Sequence, residues 1–167
     1  IVSFPNQDWK ELTPLARAEW IKAIGFLIGE EKEATEQFTK IAENYHSLKE
    51  QVANLPLSEQ TICGNIFGEY WNTPAKDSYA AQLLKDAKID YRYKDIAGKT
   101  TLSLTLEQVL SDNQASKLWI NPGVSTKKEL LQSNPRAYLI PAFELNTIYG
   151  FSHDNNYFWE NSLVYPD

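Results

Sequence analysis

The chain predicts an α/β fold: a three-layer α/β/α lobe with a mostly parallel sheet, preceded by a long helix that either packs on the sheet as a surface helix or serves as an interlobe spine. Three observations carry that prediction. Over residues 30–55 the apolar positions Ala34, Phe38, Ile41, Tyr45, Leu48, Val52 and Leu55 recur alternately four and three apart, which sets them on one helix face. Beyond Pro56 short β-branched, apolar stretches alternate with helical patterns, the signature of βαβ units. Glycine and proline turn signals at Gly68, Gly98 and Asn121-Pro122-Gly123 punctuate that alternation.

Each element follows from local chemistry. Residues 1–12 read as a strand-like apolar piece and a polar loop. Thr13-Pro14 is an N-cap followed by a first helical position where the missing proline N–H costs nothing. A helix then runs to about Ile28, with Leu15, Ala18, Ile21, Ile24 and Ile28 facing inward, and Gly29 ends it. The long helix begins with Glu30, Glu31 and Glu33 at its positive dipole end, runs roughly 37 Å and stops at Pro56. Residues 60–67 are expected as a buried strand, 68–76 as an aromatic loop, and 77–88 as a helix capped by Asp77. Residues 89–93 are a second expected strand. Thr105 opens a capping box with Gln108, 117–120 form a third strand, and Thr126 with Glu129 caps a further helix. Residues 142–151 read as a last strand, and 157–165 as the start of a helix.

Composition narrows the function classes. The chain has 167 residues and a net charge of −6, so no basic face for nucleic acid is expected. No apolar stretch reaches the roughly 18 residues of a membrane-spanning helix. Cys63 is the only cysteine, so no intrachain disulfide forms and the redox compartment stays open. The chain begins at Ile1, so the absence of a signal segment says little about compartment.

Catalytic signatures are sparse. There is no G-x-S-x-G elbow and no phosphate-cradling loop with its Lys and Ser/Thr. Cys63 sits in an apolar strand pattern and reads as core filler. Two histidines and one cysteine do not make a first-row metal site of the His-rich kind. His46 reads as a solvated residue of the long helix. No catalytic residue and no intrinsic cofactor is expected.

Binding is the remaining reading. In parallel sheets ligands lie beyond the carboxyl ends of the strands, here the loops 68–76, 94–101, 121–125 and 152–157. Tyr70, Trp71, Asn72, Trp119, His153, Tyr157 and Trp159 lie in or near those loops. Trp71 is the foremost candidate contact and Trp119, inside Leu-Trp-Ile, the foremost core member; burial competes with binding for every Trp. Arg92, between Tyr91 and Tyr93, meets an anionic ligand or stands as a surface charge.

The order of motifs resembles a known family. Trp20-Ile21-Lys22, Gly25, Gly29 and the run from Glu30 through Ala34, then Phe67-Gly68-Glu69-Tyr70-Trp71, Ser78 and Leu83-Leu84-Lys85-Asp86-Ala87 follow its pattern. Thr105-Leu106-Glu107-Gln108-Val109-Leu110 and Trp119–Gly123 continue it. The family is that of class III, helical-backbone periplasmic substrate-binding proteins of ABC importers, of the iron-siderophore and cobalamin type. The resemblance implies residues 1–29 as a remnant of a first lobe, 30–55 as a stiff backbone helix and 56–167 as the second lobe, its C-terminal helices cut short. It implies a ferric siderophore, less readily cobalamin or haem, gripped between two lobes and delivered to a membrane permease that docks at Glu69. It further implies a monomer, periplasmic or lipoprotein-anchored, without enzymatic activity or nucleic-acid partners. The competing readings are an interaction domain that docks through the long helix, and a metallocluster enzyme, which would need clustered Cys or His.

Overall fold

The computed structural model describes residues 4–150. Residues 1–3 of the strand-like piece expected to open the stretch 1–12, the helical start at 157–165, and His153, Tyr157 and Trp159 lie outside that range. The described residues divide into two compact units, one up to Asn54 and one from Leu55 onward.

The first unit is helical. Following a short 3-10 turn at Asp8–Lys10, helix α1 spans Pro14–Ala18, α2 Trp20–Ile28 and α3 Glu31–Ala53. Thr13 caps α1 as predicted, its side chain accepting from the Ala16 N–H at 3.2 Å. The single helix expected over 14–28 is instead two, because the chain breaks step at Glu19. Gly29 ends α2 in the left-handed conformation, φ 80°, which glycine adopts without a Cβ penalty. Helices α2 and α3 pack at a point where only glycine fits: a Cβ on Gly25 would lie 2.4 Å from the Ala34 Cβ.

The amphipathic stripe of α3 is buried at Ala34, Ile41 and Tyr45, whereas Leu48 is 45% exposed; Leu55, expected as the last position of the stripe, lies beyond the helix end and is 56% exposed. Lys22 extends its ammonium over the Phe38 ring at 4.0 Å, a cation–π contact that covers this half-buried ring. The inward face expected for residues 14–28 holds at Ala18 and fails at Ile24 and Ile28, which are exposed together with Phe26 and Leu27.

The second unit is α/β. Strands β1 (Thr61–Cys63), β5 (Leu118–Ile120) and β6 (Ile148–Tyr149) form a parallel sheet in the order β1-β5-β6. Ile62 lies opposite Trp119, and Trp119 opposite Ile148. Strands β2 (Asn65–Phe67), β3 (Tyr70–Pro74) and β4 (Thr101–Thr105) form a second, antiparallel sheet. That sheet is absent from the sequence expectation. The predicted strand at 60–67 is two strands, and the predicted loop at 68–76 is mostly β3. The expected strand at 89–93 reduces to one bridge between Thr61 and Tyr91. Of the strand expected at 142–151, Ile148–Tyr149 alone pair among the described residues, since Pro141–Leu145 form helix α7.

Helices α4 (Tyr79–Asp86), α5 (Leu106–Asp112) and α6 (Lys127–Ser133) complete the unit. Ser78, not Asp77, caps α4 by accepting from the Ala81 N–H. Thr105 and Thr126 cap α5 and α6 as predicted. Around Ile62, Trp71, Val109, Trp119, Leu130 and Ile140 lies one apolar core. Tyr93 joins it through a polar strand of contacts, its hydroxyl donating to Asp112 at 3.2 Å and accepting from Asn113 at 3.3 Å.

Candidate functional site

The site is built at the point where the chain leaves the parallel sheet. After β1 the backbone turns at Gly64, whose φ is 121° and whose N–H donates to the Ile120 carbonyl at 3.1 Å. A Cβ there would lie 2.1 Å from the Asn72 carbonyl oxygen. Only glycine lets the backbone enter the antiparallel sheet at that spot. Strands β2 and β3 are then joined by a two-residue turn, Gly68-Glu69, with Gly68 at φ 60°. A glycine at the first central position suits a tight hairpin turn.

Side chains alternate across a strand, and here the alternation divides the aromatics. Ile66 and Trp71 face each other on the inner side, and Leu104 stands beside Trp71. Trp71 and Trp119 are fully buried, with ring centroids 5.0 Å apart and planes at 34°. Their indole N–H groups donate to the Cys63 carbonyl at 3.0 Å and the Gly64 carbonyl at 2.8 Å. Both polar handles are therefore occupied by backbone. This corrects the placing of Trp71 in an open loop: it is a core residue, as is Trp119.

The outer side of the same sheet is open. Phe67 and Tyr70, directly opposed in register, are 77% and 57% exposed. Thr105 pairs with Tyr70 in that row. The next row is Asn65, Asn72 and Ser103, where the Ser103 hydroxyl donates to Asn72 Oδ1 at 2.9 Å. The loop after β5 seats on this row, since a Cβ at Gly123 would lie 2.9 Å from Asn65 Nδ2. The outer face thus adjoins the carboxyl end of the parallel sheet, where ligands of such folds sit.

Two cavities flank this face. One, of about 590 Å³, is lined by Glu69 and Tyr70 from the hairpin, Thr105 and Glu107 from the start of α5, and Arg136. Arg136 pairs with Glu107 and holds its carboxyl below the usual range, chiefly through their hydrogen bond. The other, of about 240 Å³, lies past the ends of β5 and β6 between Pro122, Lys127 and Gly150. Lys127 is engaged there, its ammonium donating to the Phe143 carbonyl and lying 4.6 Å from the Phe143 ring centroid.

Of the predicted site residues, Glu69 and Tyr70 line one cavity, and Asn72 shares the outer sheet face with Tyr70. Arg92 is exposed between buried Tyr91 and Tyr93 and lines neither of these cavities. Burial pushes the Cys63 thiol up to about 12, so it stays protonated and inert at neutral pH. Among the described residues no cluster of three metal-ligating side chains occurs, and no helix is long and apolar enough to cross a membrane. Sequence reasoning missed Phe67, Ser103 and Thr105. The usable signal was the alternation in Asn-Ile-Phe-Gly-Glu-Tyr-Trp-Asn around a central glycine.

Comparison with known proteins follows the same lines. Residues 1–154 match the family described as periplasmic binding protein. An uncharacterized lipoprotein of Methanocaldococcus jannaschii is 25% identical over 169 residues, a match covering 97% of this chain and 39% of the relative. A possible iron-binding (periplasmic solute-binding) protein of Staphylococcus epidermidis shares the fold at TM-score 0.67 and 18% identity, covering 93% of this chain and 58% of that one. IsdE of S. aureus, complexed with heme, superposes at TM-score 0.64 and 13% identity, covering 91% of this chain and 62% of that one. The chain therefore spans about two fifths to three fifths of the length of these proteins. The family and these structural neighbours are binding proteins, not enzymes. The resemblance carried by the motifs stands, and the chain belongs to the family of periplasmic binding proteins.

Proposed function

We propose that the chain is part of the substrate-binding component of an ABC importer. Its second unit supplies one wall of a cleft that captures a ferric siderophore or a similar metal chelate. The observation that carries this reading is the open outer face of the antiparallel sheet, with Phe67, Tyr70, Asn72 and Ser103 adjoining the carboxyl end of the parallel sheet, in a chain of this family. Exposed aromatic rings stack on the apolar faces of a chelate, while amides and hydroxyls satisfy its polar edges. Helix α3, with 23 residues, serves as the backbone element between two lobes, so opening and closing is a small rigid-body change.

Glu69 stands at the tip of the hairpin, exposed, where it is suited to meet a cationic patch on the permease. His153, Tyr157 and Trp159 belong to the segment after β6 and are proposed as further ligand contacts. The protein acts outside the cytoplasmic membrane, in line with the lipoprotein nature of its archaeal relative. It takes part as a monomer carrying no cofactor of its own.

Isothermal titration of the full-length protein with ferric siderophores, cobalamin and haem tests the reading. Saturable binding at micromolar or lower concentration, weakened about tenfold or more by Tyr70→Ala, is the expected result. Absence of binding to every member of the panel would overturn it.

A further inference from the structure

Charge on the outer face of the antiparallel sheet defines the class of chelate it accepts. The two rows nearest the hairpin tip consist of Phe67, Tyr70 and Thr105, then Asn65, Asn72 and Ser103. None of these six side chains carries a charge, and every polar one is an amide or a hydroxyl. The adjoining 590 Å³ cavity holds two carboxylates, Glu69 and Glu107, against one guanidinium, Arg136. That guanidinium is already paired with Glu107. Among the described residues, this cavity therefore presents one net negative charge and no unpaired guanidinium. Lys127, at the second cavity, donates to the Phe143 carbonyl and keeps its charge, so Glu69, Glu107, Arg136 and Lys127 together leave the two cavities without net charge.

From this arrangement we infer that this wall of the cleft favours an electrically neutral metal chelate with amide or hydroxyl edges over multiply anionic ones. The inference rests on the uptake reading above. An anionic chelate brought to this face loses hydration and finds no unpaired guanidinium to replace it, the Arg136 charge being offset by Glu107 and Glu69 remaining negative. A neutral chelate loses far less hydration. Its carbonyls and hydroxyls pair with the Asn and Ser side chains, which both donate and accept, and its hydrocarbon rests on the Phe67 and Tyr70 rings. In the empty protein Ser103 donates to Asn72 Oδ1 at 2.9 Å.

The test uses the full-length protein and three probes: ferrichrome, a neutral ferric tris-hydroxamate; ferric enterobactin, an anionic tris-catecholate; and ferric citrate. Titration calorimetry is run on the wild type and on Ser103→Lys, whose folding is checked by circular dichroism and melting temperature. The expected result is ferrichrome bound about tenfold or more tighter than either anionic probe, with affinity that changes little between low and high salt. Ser103→Lys should narrow the gap to the anionic probes by about fivefold, the reach of one exposed charge pair. Equal or tighter binding of an anionic probe overturns the inference and leaves the uptake reading in place. A neutral preference that a folded Ser103→Lys does not alter also overturns it, because selection would then reside elsewhere in the cleft. If Ser103→Lys does not fold, the salt series on the wild type decides: ferrichrome affinity that falls steeply with salt overturns the inference. Binding of none of the three, together with none of cobalamin or haem, overturns the uptake reading itself.

Discussion

The two faces of the antiparallel sheet come from the same strands and do opposite work. On the inner face Ile66, Trp71 and Leu104 pack toward the core, and Trp71 gives its indole N–H to the Cys63 carbonyl. On the outer face Phe67 and Tyr70 stand exposed above a row of amides and a hydroxyl. Tyr70 and Trp71 are neighbours in sequence, and a period of two sends them to different environments. Aromatic content alone therefore says little about binding; the face on which a ring lands decides.

The sharpest way to break this comparison is Trp71→Ala. Removing a fully buried indole should cost about 3–5 kcal/mol, and it also strips the Cys63 carbonyl of its donor. Urea unfolding should show that loss in the transition of the second unit. If the variant unfolds like the wild type, the inner face is not the core described here. Next in size is Gly64→Ala. The left-handed backbone alone costs about 1–3 kcal/mol for alanine, and the new methyl meets the Asn72 carbonyl oxygen at 2.1 Å. Together these should destabilise by about 2–4 kcal/mol, measured in the same unfolding experiment.

Alkaline titration probes the inner side differently. Burial raises Cys63 from 9.0, and Tyr91 and Tyr93 from 10.0, to about 12 in each case. Folding therefore favours their protonated forms. The stability this contributes is fully present below about pH 9, where the unfolded groups are protonated as well. It is lost as pH rises through the window from 9 toward 12. The melting temperature should fall across that window, and Tyr93→Phe should flatten part of the fall. A melting temperature that stays level to pH 12 would contradict the burial of these groups.

How much of this was legible beforehand depended on how local the physics is. Capping is local: Thr13 is legible from the proline that follows it, Thr105 and Thr126 from their partners three positions on, and each caps its helix. Strand β5 was likewise readable from its β-branched, aromatic run ending in Asn-Pro-Gly. Ser78 displaced Asp77 as a cap by one position, a choice between two adequate side chains that the approach of the loop carrying Gly98 helps to settle, since the Gly98 N–H faces the Asp77 carboxylate. The antiparallel sheet was not legible. Its strands are three to five residues long, and Pro74 with Gly68 gave the stretch the composition of a loop. The partner β4 lies about thirty residues further along the chain, and pairing at that separation leaves no periodic trace. Trp71 was misplaced for the same reason: with β3 taken as loop, no alternation was applied to it.

A smaller effect with the opposite sign should come from Thr73→Val. Thr73 lies two positions beyond Trp71, on the same inner face. Among the described residues its hydroxyl is the buried side-chain polar atom without a hydrogen-bond partner. An unpaired buried hydroxyl costs about 1–3 kcal/mol, and valine keeps nearly the same shape without it. The variant should be about 1 kcal/mol more stable than the wild type. A loss of stability would mean that the hydroxyl has a partner.

The smallest expected effect on stability is Tyr70→Ala, and it bears most directly on function. Tyr70 is 57% exposed in β3, and its ring lies on the side away from Trp71. Truncating it removes little buried area, so the unfolding free energy should move by no more than about 0.5 kcal/mol. Losing some β-propensity accounts for part of that. Placed beside Trp71→Ala, the substitution separates folding from binding one residue apart: the first should lower stability sharply, the second should lower ligand affinity while the fold stays intact. Should Tyr70→Ala destabilise the unit as much as Trp71→Ala, the outer face would be a packing surface, and the two sides of this sheet would differ in nothing that matters for a ligand.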